Sequence, residues 1–305
     1  MKKNILFFII LCFSINLLCQ TVNDSRTAAE QGDTTAQYNL GKLYYDGEND
    51  VSKNFYEAVK WFSKAAEQGY AKAQHSLGVC YANGEGVSQD YSQAVYWYQK
   101  AAEQGVAVAQ YNLGLCYTNG RGVSEDYSQA VYWYKKAAEQ GDAIAQHNLG
   151  VCYAKGQGVS QDYSQAIYWY KKAAEQGLAD SQCNLGVCYA NGEGVSQDYL
   201  QAVYWYQKAA EQGFDAAQYN LGYCYDTGKG VHEDHLQAVY WYKKAAEQGH
   251  AKAQLFLGFC YHYGRGTVKD PAMAKKLFQQ IADQLGISKK QLMRALRDIK
   301  FEKWK

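Results

Sequence analysis

Between Ala71 and Gly105 the apolar positions fall three and four residues apart: Ala73, Leu77, Cys80 and Tyr81, then Ala94, Trp97, Tyr98, Ala101 and Ala102. That spacing keeps one side of a 3.6-residue helix apolar, so the stretch predicts two amphipathic helices. Between them, Asn83-Gly84-Glu85-Gly86 supplies glycine where the first helix must end in a left-handed turn. Asp90, with Gln93 three residues on, opens the second helix as an acceptor for its free amides, and Gly105 stops it.

The same pattern returns along the chain. Tryptophan recurs at Trp61, Trp97, Trp133, Trp169, Trp205 and Trp241, and cysteine at Cys80, Cys116, Cys152, Cys188, Cys224 and Cys260, each series stepping by 36 residues. One helix pair has too little interior to fold alone, so a period of this size predicts an all-α solenoid in which each pair covers the next. Seven units of helix-turn-helix span 33–286, with boundaries at 33–69, 70–105, 106–141, 142–177, 178–213, 214–249 and 250–286. Residues 20–32 read as a partial repeat capping the N-terminal end. In the seventh unit the single proline, Pro271, follows Asp270 at a first-turn position where its missing amide is harmless.

Residues 287–305 read as a C-terminal capping helix. Ser288-Lys289-Lys290-Gln291 has the form of a capping box, and Leu292, Leu296 and Ile299 make one apolar stripe opposite seven Lys/Arg. A terminal lid with a wet outer face fits this better than a membrane-binding helix.

Composition changes the picture in two ways. With 31 basic and 30 acidic side chains the formal net charge is +1, so no global field attracts nucleic acid. Met1-Lys2-Lys3 followed by the apolar run Ile5 to Leu18 has the form of a signal peptide over 1–19, too short for a membrane span. The mature chain is therefore expected to be exported to a bacterial periplasm, the cell envelope or the medium, without an integral membrane span. A lipid anchor at Cys19 is the alternative.

The recurring text Ala-x-Ala-Gln-x-x-Leu-Gly-x-Cys-Tyr-x-x-Gly-x-Gly-Val-x-x-Asp-x-x-x-Ala-x-x-Trp-Tyr-x-Lys-Ala-Ala-Glu-Gln-Gly, readable at 71–105 and 143–177, resembles the Sel-one-like repeat family. The resemblance implies a tetratricopeptide-like, right-handed α-α superhelix and a role as adaptor or scaffold for a protein partner. Cysteine-rich bacterial members of that family pair two cysteines within each repeat and are described as β-lactamases or penicillin binders, which makes a cell-wall or lactam hydrolase the competing function. This chain has one periodic cysteine per unit, and Cys183 and Cys188 stand five apart on one helix.

No constellation for chemistry emerges from the residues. Neither Ser-x-x-Lys nor Gly-x-Ser-x-Gly occurs, so no catalytic residue is assigned, and no cofactor is implied. Equivalent cysteines of adjacent units are expected about 8–10 Å apart, beyond the ~7 Å a disulfide tolerates, so the thiols are read as small apolar filler. His232, Asp234 and His235 cluster in the sixth linker, but Asp234 has a capping task, and an exposed loop is preferred to a metal site.

Differences between the units are organised. In the first helix of the second unit, positions 72, 75, 76, 79 and 83 are those that change, and they share one helix face. Along the chain that face carries His75, Tyr111, His147, Cys183, Tyr219 and Leu255, beside Ser76, Asn112, Asn148, Asn184, Asn220 and Phe256. Asn pairs with main-chain donors and acceptors, and Tyr supplies contact area at low entropic cost. His75, Tyr111, Asn112, His147, Asn148, Asn184, Tyr219, Asn220 and Tyr223 are therefore the candidate residues for holding a protein or peptide partner. Toward the C-terminal end the face turns apolar, with Tyr223, Leu255, Phe256, Phe259 and Tyr263, able to anchor a hydrophobic group or to lie under the terminal helix. The chain is expected to be a monomer or to self-associate weakly.

Overall fold

The computed structural model describes residues 26–47, 51–288, 290–292 and 294. The leader expected over 1–19, Cys19, Leu296 and Ile299 lie outside the described residues. Residues 26–30 are helical. Fourteen helices follow: α1 (Thr34–Asp46), α2 (Phe55–Glu67), α3 (Ala71–Asn83), α4 (Tyr91–Glu103), α5 (Ala107–Asn119), α6 (Tyr127–Glu139) and α7 (Ala143–Lys155), then α8 (Tyr163–Glu175), α9 (Ala179–Asn191), α10 (Tyr199–Glu211), α11 (Asp215–Thr227), α12 (His235–Glu247), α13 (Ala251–Tyr263) and α14 (Pro271–Gln284). The described residues form no strand. Odd-numbered helices are the first of each pair and even-numbered the second, and within each of two units successive helices pack against one another. By packing, the chain falls into two compact units: one ends at Ala145 and takes in Gln157–Ser160, and the other holds Gln146–Gly156 and continues from Gln161.

The two helices of a pair begin differently. Asp90 Oδ1 accepts from the amides of Ser92 and Gln93 at 2.9 and 3.1 Å; Asp126, Asp162, Asp234 and Asp270 likewise take two amides of α6, α8, α12 and α14, and Asp198 takes that of Gln201 on α10. These carboxylates satisfy amides that a helix start leaves open, each contributing about 1 kcal/mol. Most first helices lack such a cap, since Tyr70, Val106, Leu178 and Phe214 stand at the cap positions of α3, α5, α9 and α11.

The buried glutamine on the first turn of each first helix ties that helix to its neighbours instead. In the first unit, Gln110 Nε2 donates to Ala102 O at 3.0 Å, and Gln110 Oε1 accepts from Gln140 Nε2 at 2.8 Å. Gln74 repeats the pattern with Ala66 O and Gln104, and in the second unit Gln182 and Gln218 repeat it with Ala174 and Gln212, and with Ala210 and Gln248. A carbonyl at the end of one repeat's second helix is thus joined, through one amide, to the last residue of the next repeat's second helix.

Around these bonds the core is built from small and aromatic side chains. Ala94, Tyr98 and Ala101 of one repeat form a cluster with Ala109, Leu113, Cys116 and Trp133 of the next. Trp205 and Trp241 stand likewise in the second unit. The Leu-Gly pair of the repeat has a steric origin: a Cβ on Gly114 would lie 2.7 Å from the ring of Tyr134, so glycine lets that ring rest on α5. At the C-terminal end, Ser288 and Gln291 make reciprocal capping bonds. Leu292 is buried with Phe259, Phe278 and Ile281. The apolar end of the variable face is thereby covered within the chain at Phe259.

Two glycines with positive φ separate backbone strain from close packing. Gly105 (φ +90) has nothing near its missing Cβ, whereas at Gly122 (φ +73) a Cβ would come 2.2 Å from Tyr91 O on the preceding helix pair. Gly105→Ala is expected to cost about 1–2 kcal/mol, the left-handed penalty alone. Gly122→Ala is expected to cost more than about 3 kcal/mol, because backbone must move. Urea denaturation of the two variants measures the difference, and equal losses would contradict it.

Candidate partner-binding site

The nine candidate residues all lie on first helices and are half-buried. In the first unit, Asn112 Nδ2 stands 3.1 Å from His75 Nε2, and Tyr111 stacks on Tyr134 with ring centroids 6.0 Å apart. In the second unit, His147 Nδ1 lies 2.8 Å from Ser181 Oγ, Asn220 Nδ2 donates to Cys183 Sγ at 3.8 Å, and Tyr219 stacks on His250 at 5.0 Å. Asn184 hydrogen-bonds to Tyr170. Burial holds the imidazoles of His75 and His147 below their ordinary pKa, so both are neutral at pH 7. The face is therefore a neutral, hydrogen-bonding surface whose residues brace one another as well as facing outward.

Part of this face opens into two cavities, one in each compact unit. The first, of about 180 Å³, lies between Asn83 and Ala82 on α3, Tyr91 and Tyr98 on α4, and Asn112, Leu115 and Cys116 on α5, with Arg121 also among its lining residues. The second, of about 350 Å³, is the same place three repeats later: Ala190, Asn191, Tyr199, Tyr206, Asn220, Tyr223, Cys224 and Lys229 stand at the corresponding positions. Val187 and Tyr219 enlarge its lining. Asn112 thus lines one cavity, and Tyr219, Asn220 and Tyr223 line the other. His75, Tyr111, His147, Asn148 and Asn184 line neither.

A single cation stands among the lining residues of each cavity. Arg121 Cζ lies 5.5 Å from the ring centroid of Tyr91, and Lys229 Nζ lies 4.9 Å from that of Tyr199 and 5.3 Å from that of Tyr223. Contact with an aromatic face holds a cation in position without neutralising it. Hydrogen bonding to Tyr199 is the main cause that raises the pKa of Lys229, so the ammonium is fully charged at pH 7. Burial pushes the thiols of Cys116 and Cys224 up to about 11, leaving them protonated and weak as nucleophiles. Burial likewise keeps Tyr98 and Tyr206 neutral. The cavities therefore combine hydroxyl and amide groups, one positive charge and no activated nucleophile.

Of the residues proposed from the sequence, Asn112, Tyr219, Asn220 and Tyr223 line a cavity, and Arg121 and Lys229, which were not proposed, line one too. Both sit inside Gly-x-Gly turns, whose task as helix terminators was sufficient explanation. The differences among Glu85, Arg121, Gln157, Glu193, Lys229 and Arg265 at that one position were the available signal.

His232, Asp234 and His235 do not act as one loop cluster. Asp234 caps α12, and His235 is the first residue of that helix. Its Nδ1 lies 3.3 Å from Asp226 Oδ1 and its Nε2 3.1 Å from Glu233 Oε1. Arg265 Nε approaches the same Asp226 oxygen at 3.4 Å, and its Nη2 donates to Asp226 O at 3.1 Å. Asp226 is 2% exposed. Desolvation raises its pKa, while Arg265 and then His235 oppose the rise. Among the described residues no group of three His, Cys, Asp or Glu is arranged to hold a metal. Arg265→Met is expected to destabilise the protein by on the order of 3 kcal/mol at pH 7, because it strips the buried carboxylate of its cation. With the folded pKa of Asp226 raised further, the loss is present above that pKa and shrinks as pH falls through it. Chemical denaturation across a pH series checks both, and a pH-independent loss would contradict the assignment.

The Sel1 repeat matches the chain seven times, at 34–70, 71–106, 107–142, 143–178, 179–214, 215–250 and 251–284. Among solved structures, a protective antigen present in uropathogenic Escherichia coli strains, displaying an SLR fold, is 41% identical with a TM-score of 0.81, covering 86% of this chain and 56% of its own. The chain thus spans little more than half of that protein. A Sel1 repeat protein from Oxalobacter formigenes is 36% identical with a TM-score of 0.72, covering 92% of this chain and 81% of its own. No curated protein matches.

Proposed function

The chain belongs to the Sel1 repeat family, and from that premise we propose that it is an exported scaffold that binds a protein or peptide partner on the face formed by its first helices. One observation carries the reading: among the positions that differ between otherwise similar repeats, Asn112 in one repeat and Tyr219, Asn220 and Tyr223 in another open into cavities lined by Tyr and Asn. Tyr and Asn in half-buried positions suit an adaptable hydrogen-bonding surface. Export rests on the leader at the N-terminus, and the E. coli relative, a protective antigen, is in keeping with it. Among the described residues no helix is long and apolar enough to cross a membrane. Protonated thiols and neutral tyrosines in the cavities favour holding a partner over performing chemistry on it.

Crosslinking pull-down from the native envelope fraction tests this with Asn112→Ala plus Asn220→Ala in one chain, compared at equal helicity and melting temperature with the unaltered protein. The expected result is one enriched protein whose recovery falls about tenfold in the variant, equivalent to about 1.4 kcal/mol of binding. Undiminished recovery would place the interface on the second helices or the loops.

A further inference from the structure

Six repeats carry the turn position of Arg121 and Lys229, and only three of the six residues there are cations: Arg121, Lys229 and Arg265. Arg265 shows what a cation at this position does when a carboxylate is in reach. It turns back toward the preceding repeat and pairs with Asp226, at the end of the preceding first helix. The residues equivalent to Asp226 in the two cavities are Ala82 and Ala190, and both are lining residues. Where Arg265 meets a carboxylate on the preceding repeat, Arg121 and Lys229 meet an alanine and a cavity.

Among the described residues, neither Arg121 nor Lys229 forms an ion pair with a carboxylate. Each cavity has an acid bonded to its lining asparagine: Glu85 accepts from Asn83 Nδ2 at 3.4 Å and from Tyr45 Oη at 2.6 Å, and Glu193 accepts from Asn191 Nδ2 at 3.2 Å. Neither lines a cavity, so the cation is the one charged group among the lining residues of each. Protonated Cys116 and Cys224 and neutral Tyr98 and Tyr206 offer no negative charge to repel an anion.

We propose that the Arg121 and Lys229 cavities are acceptor sites for an acidic side chain, Asp or Glu, presented by a protein partner in the place that Asp226 occupies beside Arg265. The proposal rests on the first-helix face being the docking surface and gives that surface its chemistry. Stacking on Tyr91, or on Tyr199 and Tyr223, holds the cation ready, so little ordering remains to be done when the carboxylate arrives. Arg121 is exposed and Lys229 half-exposed, so the attraction to a carboxylate is modest and acts mainly by disfavouring a like charge in the same place.

Selection of a random dodecapeptide library on the full-length protein provides the test. The unaltered protein is expected to enrich peptides carrying Asp or Glu beside apolar residues by about tenfold over the input library. Ala82→Asp with Ala190→Asp supplies each cavity with its own carboxylate and is expected to abolish that preference. Arg121→Glu with Lys229→Glu is expected to turn it toward Lys and Arg, and circular dichroism confirms that both variants keep the helical fold. Enrichment of peptides with no acidic preference would overturn the acceptor chemistry and leave the docking face standing. An acidic preference that survives both variants would overturn the assignment to these cavities, and no enrichment at all would remove the docking face as well.

Discussion

Each repeat leans on a buried amide that has no freedom to be elsewhere. Gln74, Gln110, Gln182 and Gln218 are almost wholly buried, and a side-chain amide so placed costs about 1–3 kcal/mol for a group left unmet. Each meets the cost by donating to the carbonyl that ends the preceding second helix and accepting from the glutamine that ends its own repeat's second helix. Since both bonds must form together, three helices are fixed in register by one side chain. Gln254 marks the end of the relay: its Oε1 has no hydrogen-bond partner among the described residues, because Gln284, at the place of the next donor, points instead toward Gly249 O at 3.5 Å.

With register set by the glutamines, helix starts by Asp caps and pair spacing by glycines such as Gly114, the other side of the first helices is released from structural duty. That release explains why variation concentrates there and at the turn position. It also explains how the sixth repeat could take on Asp226 and His235, and the seventh Arg265, without disturbing their caps. A buried carboxylate is tolerated only with its cation, and the repeats that keep the cation without the acid are those with room beside it.

The period, the helix pairs, their caps and their stops were all legible in the sequence, because each follows from local chemistry repeated in register. Trp, Ala, Leu and Cys on one face also announced the core, and among the described residues the cysteines are buried thiols, as small apolar residues would be. The glutamine relay was not legible: a polar residue at a first-turn position reads as solvent-facing until the neighbouring carbonyl is placed against it. Arg121 and Lys229 were hidden for a different reason, since their partners Tyr91 and Tyr199 belong to the preceding repeat and only packing brings them together. His235 escaped the same way, its partners coming from α11 and from the turn after α13.

Which face meets the partner is the point on which this account stands. A photo-crosslinking amino acid placed at Tyr223, in the larger cavity, can be compared with the same residue at Tyr240, which is 47% exposed on the second helix of that repeat. Irradiation of cells producing each version, followed by analysis of the adducts, reads the contact directly. The account predicts a discrete protein adduct from position 223 and none from position 240. An adduct from position 240 with none from 223 would contradict it.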